Sequence, residues 1–262
     1  MRLLKLLLIV FVCAAVPAVA GPYEDGVAAY GKGDYATALR LWQPIAEQGD
    51  AGARNKLGLM YENGWGVTRD TAAAVSWFRK AAEQGDADAL FNLGVMYDKG
   101  WGVPHDYATA VSWYRKAADQ GYAGAQNKLG VMYDKGWGVT QDYAAAMSWF
   151  RKAAEQGDAE AQNNLGFMYY NGQGVTQDTV TAVSWYRKAA EQGKAKAQTN
   201  LGVMYDKGQG VPQDYVQAHM WLNLAAAKGE TNAIKSRDIV AKKMTPAQIG
   251  EAQKMAREWK PK

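Results

Sequence analysis

Small and apolar residues return along this chain with a fixed period of 36 residues. The motif Leu-Gly-x-Met-Tyr begins at Leu57 and recurs, without insertion or deletion, at Leu93, Leu129, Leu165 and Leu201. A tryptophan follows each of these leucines after 20 residues, from Trp77 onwards. An uninterrupted internal period of this length predicts a stack of small units that share their apolar cores, and not one globular core.

The first half of each unit is predicted to be a helix. In the unit 123–158, Ala125, Leu129 and Met132 follow a helical spacing over residues 123–135. Gly130 lies inside this helix, where glycine costs about 1 kcal/mol relative to alanine. Because every unit keeps this glycine, we expect a neighbouring helix to approach the backbone closely there. Gly136 is predicted to end the helix in the left-handed conformation.

The second half of the unit carries a second helical pattern. Asp142 is placed to cap it by accepting from free backbone N–H groups. An apolar stripe with spacings of three and four residues follows, at Ala146, Trp149, Phe150, Ala153 and Ala154. Each unit is therefore predicted to be a helical hairpin whose apolar face must be covered by its neighbours.

The consensus LGxMYxxGxGVxxDYxxAxxWxRKAAEQGxAxAQ resembles the Sel1-like repeat family, a branch of the tetratricopeptide-like helical repeats, from about Gly49 to Gly229. The resemblance implies an all-α fold: a right-handed α-solenoid of about five Sel1-like helical hairpins with N- and C-terminal helical caps. We predict a signal peptide at 1–20, an N-terminal capping helical pair at 21–50, repeats at 51–86, 87–122, 123–158, 159–194 and 195–230, and C-terminal capping helices at 231–262.

The C-terminal cap has its own helix-start signal. Thr245, Pro246 and Gln248 have the spacing of a capping box with proline at the first helical position. His219 replaces a residue that is valine or methionine in the other units, and it is expected to mark a change of packing near this cap.

The N-terminal segment has the features of a secretory signal. Arg2 and Lys5 precede an apolar run, and Ala18 and Ala20 are small residues at the −3 and −1 positions of a cleavage site. We therefore expect cleavage after Ala20, a periplasmic or secreted protein and no membrane attachment after cleavage. The competing interpretation is an uncleaved anchor, for which the apolar run is short.

Composition and motifs argue against an enzyme. The net charge of +4 falls to +2 without Arg2 and Lys5, and no basic block indicates nucleic acid. His105 stands in a loop, and neither histidine has metal-ligand or catalytic spacing. We predict no catalytic residue, no cofactor and no metal. Some cysteine-rich relatives are linked to penicillin binding or hydrolysis, but this chain has only Cys13, so a cell-wall or β-lactam hydrolase is the least favoured hypothesis.

The family resemblance implies that positions two, five, nine and twelve of the first helix face a concave groove. We therefore predict an exported adaptor or scaffold, a monomer, that binds a protein or peptide through this face. The candidate residues are an asparagine row with one aromatic, an apolar row and a mostly acidic row. They are Asn55, Phe91, Asn127 and Asn163; Phe167; and Glu62, Asp98, Asp134, Tyr170 and Asp206.

A third set of candidates lies in the loop inside each unit. Trp65, Trp101 and Trp137 occupy one loop position that becomes glutamine in the last two units. These indoles either form an aromatic strip for a partner or cell-wall glycan, or cover the adjacent hairpin. A glycan-binding module is therefore the alternative function.

Overall fold

A computed structural model describes residues 21–262, which form fourteen α-helices and no strand. The predicted signal peptide at 1–20 lies outside the described residues. The helices are α1 Pro22–Gly31, α2 Tyr35–Glu47, α3 Ala51–Asn63, α4 Thr71–Ala82, α5 Ala87–Lys99, α6 Tyr107–Asp119, α7 Ala123–Lys135, α8 Tyr143–Glu155, α9 Ala159–Asn171, α10 Thr179–Glu191, α11 Ala195–Lys207, α12 Tyr215–Ala226, α13 Thr231–Ala241 and α14 Pro246–Glu258.

The helices pack as successive hairpins. Each odd-numbered helix from α1 to α11 packs on the next helix, which in turn packs on the first helix of the following hairpin. At the C-terminal end, α12 packs against both α13 and α14. This arrangement confirms the predicted α-solenoid.

The glycine inside each first helix is a contact point between the two helices of a repeat. A Cβ atom added to Gly130 would lie 2.5 Å from the ring of Phe150, closer than real Cβ contacts come. A Cβ added to each of the other four glycines would lie 2.5–2.8 Å from the equivalent side chain. These side chains are Phe78, Tyr114, Tyr186 and Leu222. The close helix approach expected from the repeated glycine is therefore present in every repeat.

The helix ends of the repeat follow from local chemistry. The Asp142 carboxylate accepts from the N–H of Ala145, and Gly136 ends α7 with φ of 69°. The loop glycine Gly138 lies against the backbone of Tyr107 in the preceding repeat, where a Cβ would come within 2.4 Å. The loop of each repeat is thus held against the start of the second helix of the repeat before it.

Polar contacts also join neighbouring repeats. The Arg151 guanidinium donates to the Tyr169 hydroxyl at 3.0 Å, and Arg79 and Arg187 make the same contact with Tyr97 and Tyr205. These bonds between residues 18 apart link the second helix of one repeat to the first helix of the next. Every repeat is therefore oriented by its immediate neighbours.

The C-terminal helices cover the open end of the last repeat. The Gln248 N–H donates to the Thr245 hydroxyl at 3.3 Å, and the Thr245 N–H donates back to the Gln248 side chain at 2.9 Å, as a capping box requires. Trp259, which follows α14, packs edge-on against Trp221 with ring centroids 6.1 Å apart. The predicted capping box is confirmed.

His219 is buried where the last repeat meets this cap. It is 3% exposed, and its Nδ1 has no hydrogen-bond partner among residues 21–262. Burial lowers the pKa of the imidazole from its ordinary value of 6.5, and the positive charge of Arg237 lowers it further, whereas Asp238 acts in the opposite direction. The folded state therefore favours the neutral ring.

We predict that Gly130→Ala destabilises the protein although alanine is the better helix former. The new methyl group would collide with Phe150, at about 1–3 kcal/mol for overpacking, against a gain of about 1 kcal/mol in helix propensity. Gly250 in α14 is the matched control, because a Cβ there meets nothing within 4 Å. Urea unfolding of Gly250→Ala should show a small stabilisation. Equal stabilisation of both variants would contradict the close approach.

We predict that His219→Val, which installs the residue of most other repeats, reduces the loss of stability on acidification. Below pH 6.5 the unfolded chain takes up a proton that the folded imidazole resists, so this contribution to stability falls as the pH drops from 6.5 through the folded-state pKa. The measurement is the free energy of unfolding between about pH 5 and 7. His105→Gln, in an exposed loop, should follow the wild type; an unchanged pH slope in His219→Val would refute the assignment.

Candidate interaction surface

Phe167 is the most exposed aromatic side chain on the first helices of the repeats, at 47%. Three cavities of about 230, 130 and 260 Å³ adjoin it. We call these cavities together the Phe167 groove. They are lined by residues of α7, α9 and α11, and also by side chains of α8, α10 and the start of the C-terminal cap. The lining includes Val131, Asp134, Asn163, Tyr170, Val203 and Lys196.

Two residues that depart from the repeat pattern meet in this groove. Phe167 stands where three other repeats carry valine, and Tyr170 stands where they carry an acid. The Tyr170 hydroxyl donates to the Gln209 side chain at 3.3 Å. This bond holds the phenol between α9 and the next loop, beside the smallest of the three cavities.

The asparagine row lies mostly between repeats. Asn55, Asn127 and Asn163 are only 3–8% exposed. Their side-chain oxygens accept from Asn92, Asn164 and Asn200 of the next repeat at 2.9–3.1 Å. This finding differs from the predicted open row of amides, because the first helices pack closely enough to join these side chains. Of the three, Asn163 also lines the Phe167 groove.

Phe91 takes the asparagine position in the second repeat and makes aromatic contacts instead. Its ring lies 5.0 Å from that of Tyr122 and 5.7 Å from that of Tyr114. The side chain is half-buried. The asparagine-to-asparagine bonds are thus interrupted at this repeat by an apolar cluster.

The acidic row is largely compensated by cations of the same chain. Asp134 pairs with Lys135 at 2.8 Å, and Asp206 with Lys243 of the C-terminal cap at 2.7 Å. Asp98 is 7% exposed and lies 3.9 Å from Lys128. The acidic row therefore presents paired charges and not a bare acidic stripe.

Burial raises the pKa of Glu62 in this row and of Tyr114, which lies beside Asp98. The pKa of Tyr114 is raised by burial and by the negative charge of Asp98, whose carboxylate accepts from the hydroxyl at 3.3 Å. Burial also raises the pKa of Glu62, and this outweighs the opposite effect of Arg69. Burial is the largest cause of both shifts.

Two of the three loop tryptophans stack on a tyrosine of the preceding hairpin. Trp65 and Trp137 stack face to face on Tyr35 and Tyr107, at 5.5 and 5.2 Å with interplanar angles of 7°. Trp101 and Trp137 remain 42% and 41% exposed. The interpretation that these indoles cover the adjacent hairpin therefore explains why one ring face of Trp65 and of Trp137 is covered.

Sequence reasoning missed part of the groove. Lys196, Glu230 and Asn232 line the cavity of about 260 Å³ beside Phe167. Lys196 occupies position two of its helix, a position that the family resemblance placed on this face. Asn232 belongs to α13, outside the repeat, so no periodic signal pointed to it.

Residues 21–262 lack the features of two other kinds of site. No group of three or more histidine, cysteine, aspartate or glutamate side chains is arranged to hold a metal ion in that range. None of the helices in that range combines the length and apolarity needed to cross a bilayer.

Comparisons with known proteins agree on one family. The Sel1 repeat model matches six consecutive segments, at 19–50, 51–86, 87–122, 123–158, 159–194 and 195–230. The first of them covers the hairpin α1–α2, which the sequence analysis treated as an N-terminal capping pair. No match was found among curated proteins.

Solved structures give the same result. A Sel1 repeat protein from Oxalobacter formigenes is 35% identical, with a TM-score of 0.81 over 91% of this chain and 97% of that one. A putative Sel1 repeat protein from Klebsiella pneumoniae is 25% identical, with a TM-score of 0.50 over 76% and 97%. The c5321 protective antigen of uropathogenic Escherichia coli is 31% identical over 91% and 68%, with a TM-score of 0.45.

Proposed function

The chain belongs to the Sel1 repeat family, and we propose that it is an exported scaffold that binds a protein partner in the Phe167 groove. Sel1 repeat proteins generally act as non-enzymatic scaffolds for protein–protein interaction. The proposal adds two points to this family role. The protein is exported, and the partner binds on the concave face of the solenoid.

The exposure of Phe167 above three adjoining cavities is the observation that carries the proposal. A large apolar side chain held on a rigid helix, beside pockets that a partner's side chains can fill, has the character of an interface hot spot. The cavities follow one another along α7, α9 and α11. A partner segment of several residues, lying across these three helices, would fill them together.

The polar groups of the groove limit which side chains such a partner segment can have. Asp134 already pairs with Lys135, so a strongly basic segment would have to displace that lysine. Asn163 uses its side-chain oxygen to accept from Asn200, and its amide N–H groups remain as donors toward the groove. We therefore favour an apolar segment whose backbone carbonyls meet amide donors.

Export is proposed from the leader alone. A basic start, an apolar run and small residues at the cleavage site direct a chain to the secretory route. A scaffold built without cysteine after residue 13 folds independently of the redox state of its compartment. The binding surface would then face partners in the periplasm or outside the cell.

The exposed indoles are the observation that supports the alternative function, a glycan-binding module. Trp101 and Trp137 offer apolar area at the loop edge. However, tyrosines of the chain itself cover one face of Trp65 and of Trp137. The tryptophans therefore do not form a continuous stacking platform, and we favour the protein partner. A hydrolase has no supporting observation.

We predict that Phe167→Val weakens partner binding by about 30-fold, the loss typical of a hot-spot aromatic, while the free energy of unfolding changes by less than about 0.5 kcal/mol. Valine is the residue of Val95, Val131 and Val203 at the same repeat position. The partner is first captured from the native host by a photo-crosslinking amino acid at position 167, and its affinity is then measured by calorimetry.

The matched control is Val180, which is 65% exposed on the second helix α10. A crosslinker at 180 should capture little of the same partner, and Val180→Ser should bind normally. Equal capture from both positions, or unchanged affinity of Phe167→Val, would place the binding surface elsewhere.

We predict that the protein recovered from the periplasmic fraction of a bacterial host begins at Gly21. Ala20→Leu should block processing, because signal peptidase requires a small residue at −1. Val19→Leu is the matched control, since the −2 position is not restricted in this way. N-terminal sequencing and intact mass distinguish the outcomes. An unprocessed wild-type chain in the membrane fraction would favour the anchor interpretation.

A further inference from the structure

In the first three repeats the loop carries a tryptophan, which lies at the start of the second helix of the preceding hairpin. They are Trp65, Trp101 and Trp137, and the last two repeats have glutamine at this position. The tyrosine and the tryptophan that meet there are 30 residues apart: Tyr35 with Trp65, and Tyr107 with Trp137. Both pairs stack with ring centroids 5.2–5.5 Å apart and an interplanar angle of 7°. The same geometry at two sites shows that it is a regular feature of this interface.

Trp101 lacks this tyrosine. The residue 30 positions before it is Thr71, and no aromatic ring of residues 21–262 stacks on its indole. A cavity of about 360 Å³ lies here instead, lined by Arg69, Thr71, Gly100, Trp101 and Gly102. We call it the Trp101 slot. Exposure alone does not distinguish Trp101 from Trp137, which are 42% and 41% exposed, but the missing ring and the cavity do.

The slot also contains a guanidinium group that other repeats lack. Arg69 occupies a position held by His105 or by glutamine in the other four repeats. Its Nε donates to the carbonyl oxygen of Glu62 at 2.9 Å, and within residues 21–262 it forms no salt bridge. The neighbouring Asp70 carboxylate accepts from the first N–H groups of α4. The charge of Arg69 acts to lower the pKa of Glu62, but the Glu62 side chain does not line the slot.

We propose that the Trp101 slot is a docking site for a tyrosine side chain of a partner protein, with an acidic residue beside that tyrosine. The two internal pairs define the ring that fits over the indole, because Tyr35 and Tyr107 already occupy the equivalent space in their repeats. Arg69 defines the charge of the flanking residue, since its terminal nitrogens are available to a carboxylate. The site lies at the loop edge and does not depend on the Phe167 groove.

A substitution that copies the residue of other repeats is expected to fill the slot. Thr71→Tyr places a phenol where Tyr35 and Tyr107 stand in their repeats, so we expect it to stack on Trp101 and fold normally. Thr179→Tyr is the matched control: it makes the same substitution at the same repeat position, but there the loop residue is Gln209. Arg69→Gln installs the residue of three other repeats, whose side-chain amide donates to the same backbone carbonyl position as the Arg69 Nε. It removes the guanidinium group with its charge and its terminal donors.

The probe is the capped tripeptide acetyl-Asp-Tyr-Asp-amide, titrated at millimolar concentration into protein labelled with ¹⁵N at the tryptophan indoles. The signal of Trp101 is assigned by its loss in Trp101→Phe. We expect this signal to shift with the peptide in the wild type and in Thr179→Tyr. In Thr71→Tyr the affinity should fall about tenfold or more, as the loss of one aromatic pair implies. In Arg69→Gln it should fall about twofold to fivefold.

Two control ligands test whether the slot binds a peptide without an aromatic ring or a glycan. Acetyl-Asp-Ala-Asp-amide should give no shift at Trp101, because it has no ring to stack. The disaccharide of N-acetylglucosamine should also give none; a larger response to it than to the tyrosine peptide would assign the slot to a glycan and overturn the proposal. No shift with the tyrosine peptide, or an equal shift in Thr71→Tyr with its helical circular dichroism intact, would overturn it as well.

Discussion

The contact between a large side chain and a glycine inside each repeat is the constraint on which the structure depends. Phe150 rests on Gly130 so closely that a methyl group has no room, and the same contact recurs from Gly58 to Gly202. It fixes the separation of the two helices in a hairpin. The apolar faces that remain are then covered only when hairpins stack, so the solenoid follows from a contact within the repeat.

Because the hairpins stack, most of the recurring polar residues form bonds that hold neighbouring repeats together. Arg151 reaches Tyr169 in the next repeat, and Asn164 reaches back to Asn127. Such bonds orient neighbours and leave few polar groups free for a partner. Positions where one repeat departs from the others are therefore the better guide to function. Phe167 on the first helices and Arg69 at the loop edge are two such positions, on different surfaces.

Much of the fold was predictable because it depends on interactions between residues close in the sequence. The Asp142 cap, the left-handed Gly136 and the Thr245 capping box each involve only a few neighbouring residues. The period of 36 residues then predicts the stacking of hairpins. The candidate surface was predictable only in part: the departure of Phe167 from valine is visible in the sequence, whereas its cavities are not.

The sequence by itself therefore determined the repeat, the hairpins, their ends and the family, since these depend on spacing and on local hydrogen bonds. Only the tertiary structure decided which repeated residues are covered. Asn127 is buried because Asn164 lies beside it, and Asp206 is paired because α13 ends near α11. Trp101 has no ring stacked on it because Thr71 stands where Tyr35 and Tyr107 stand in their repeats. Residues 30 to 37 positions apart meet in these contacts, and the distance between them depends on how successive hairpins stack.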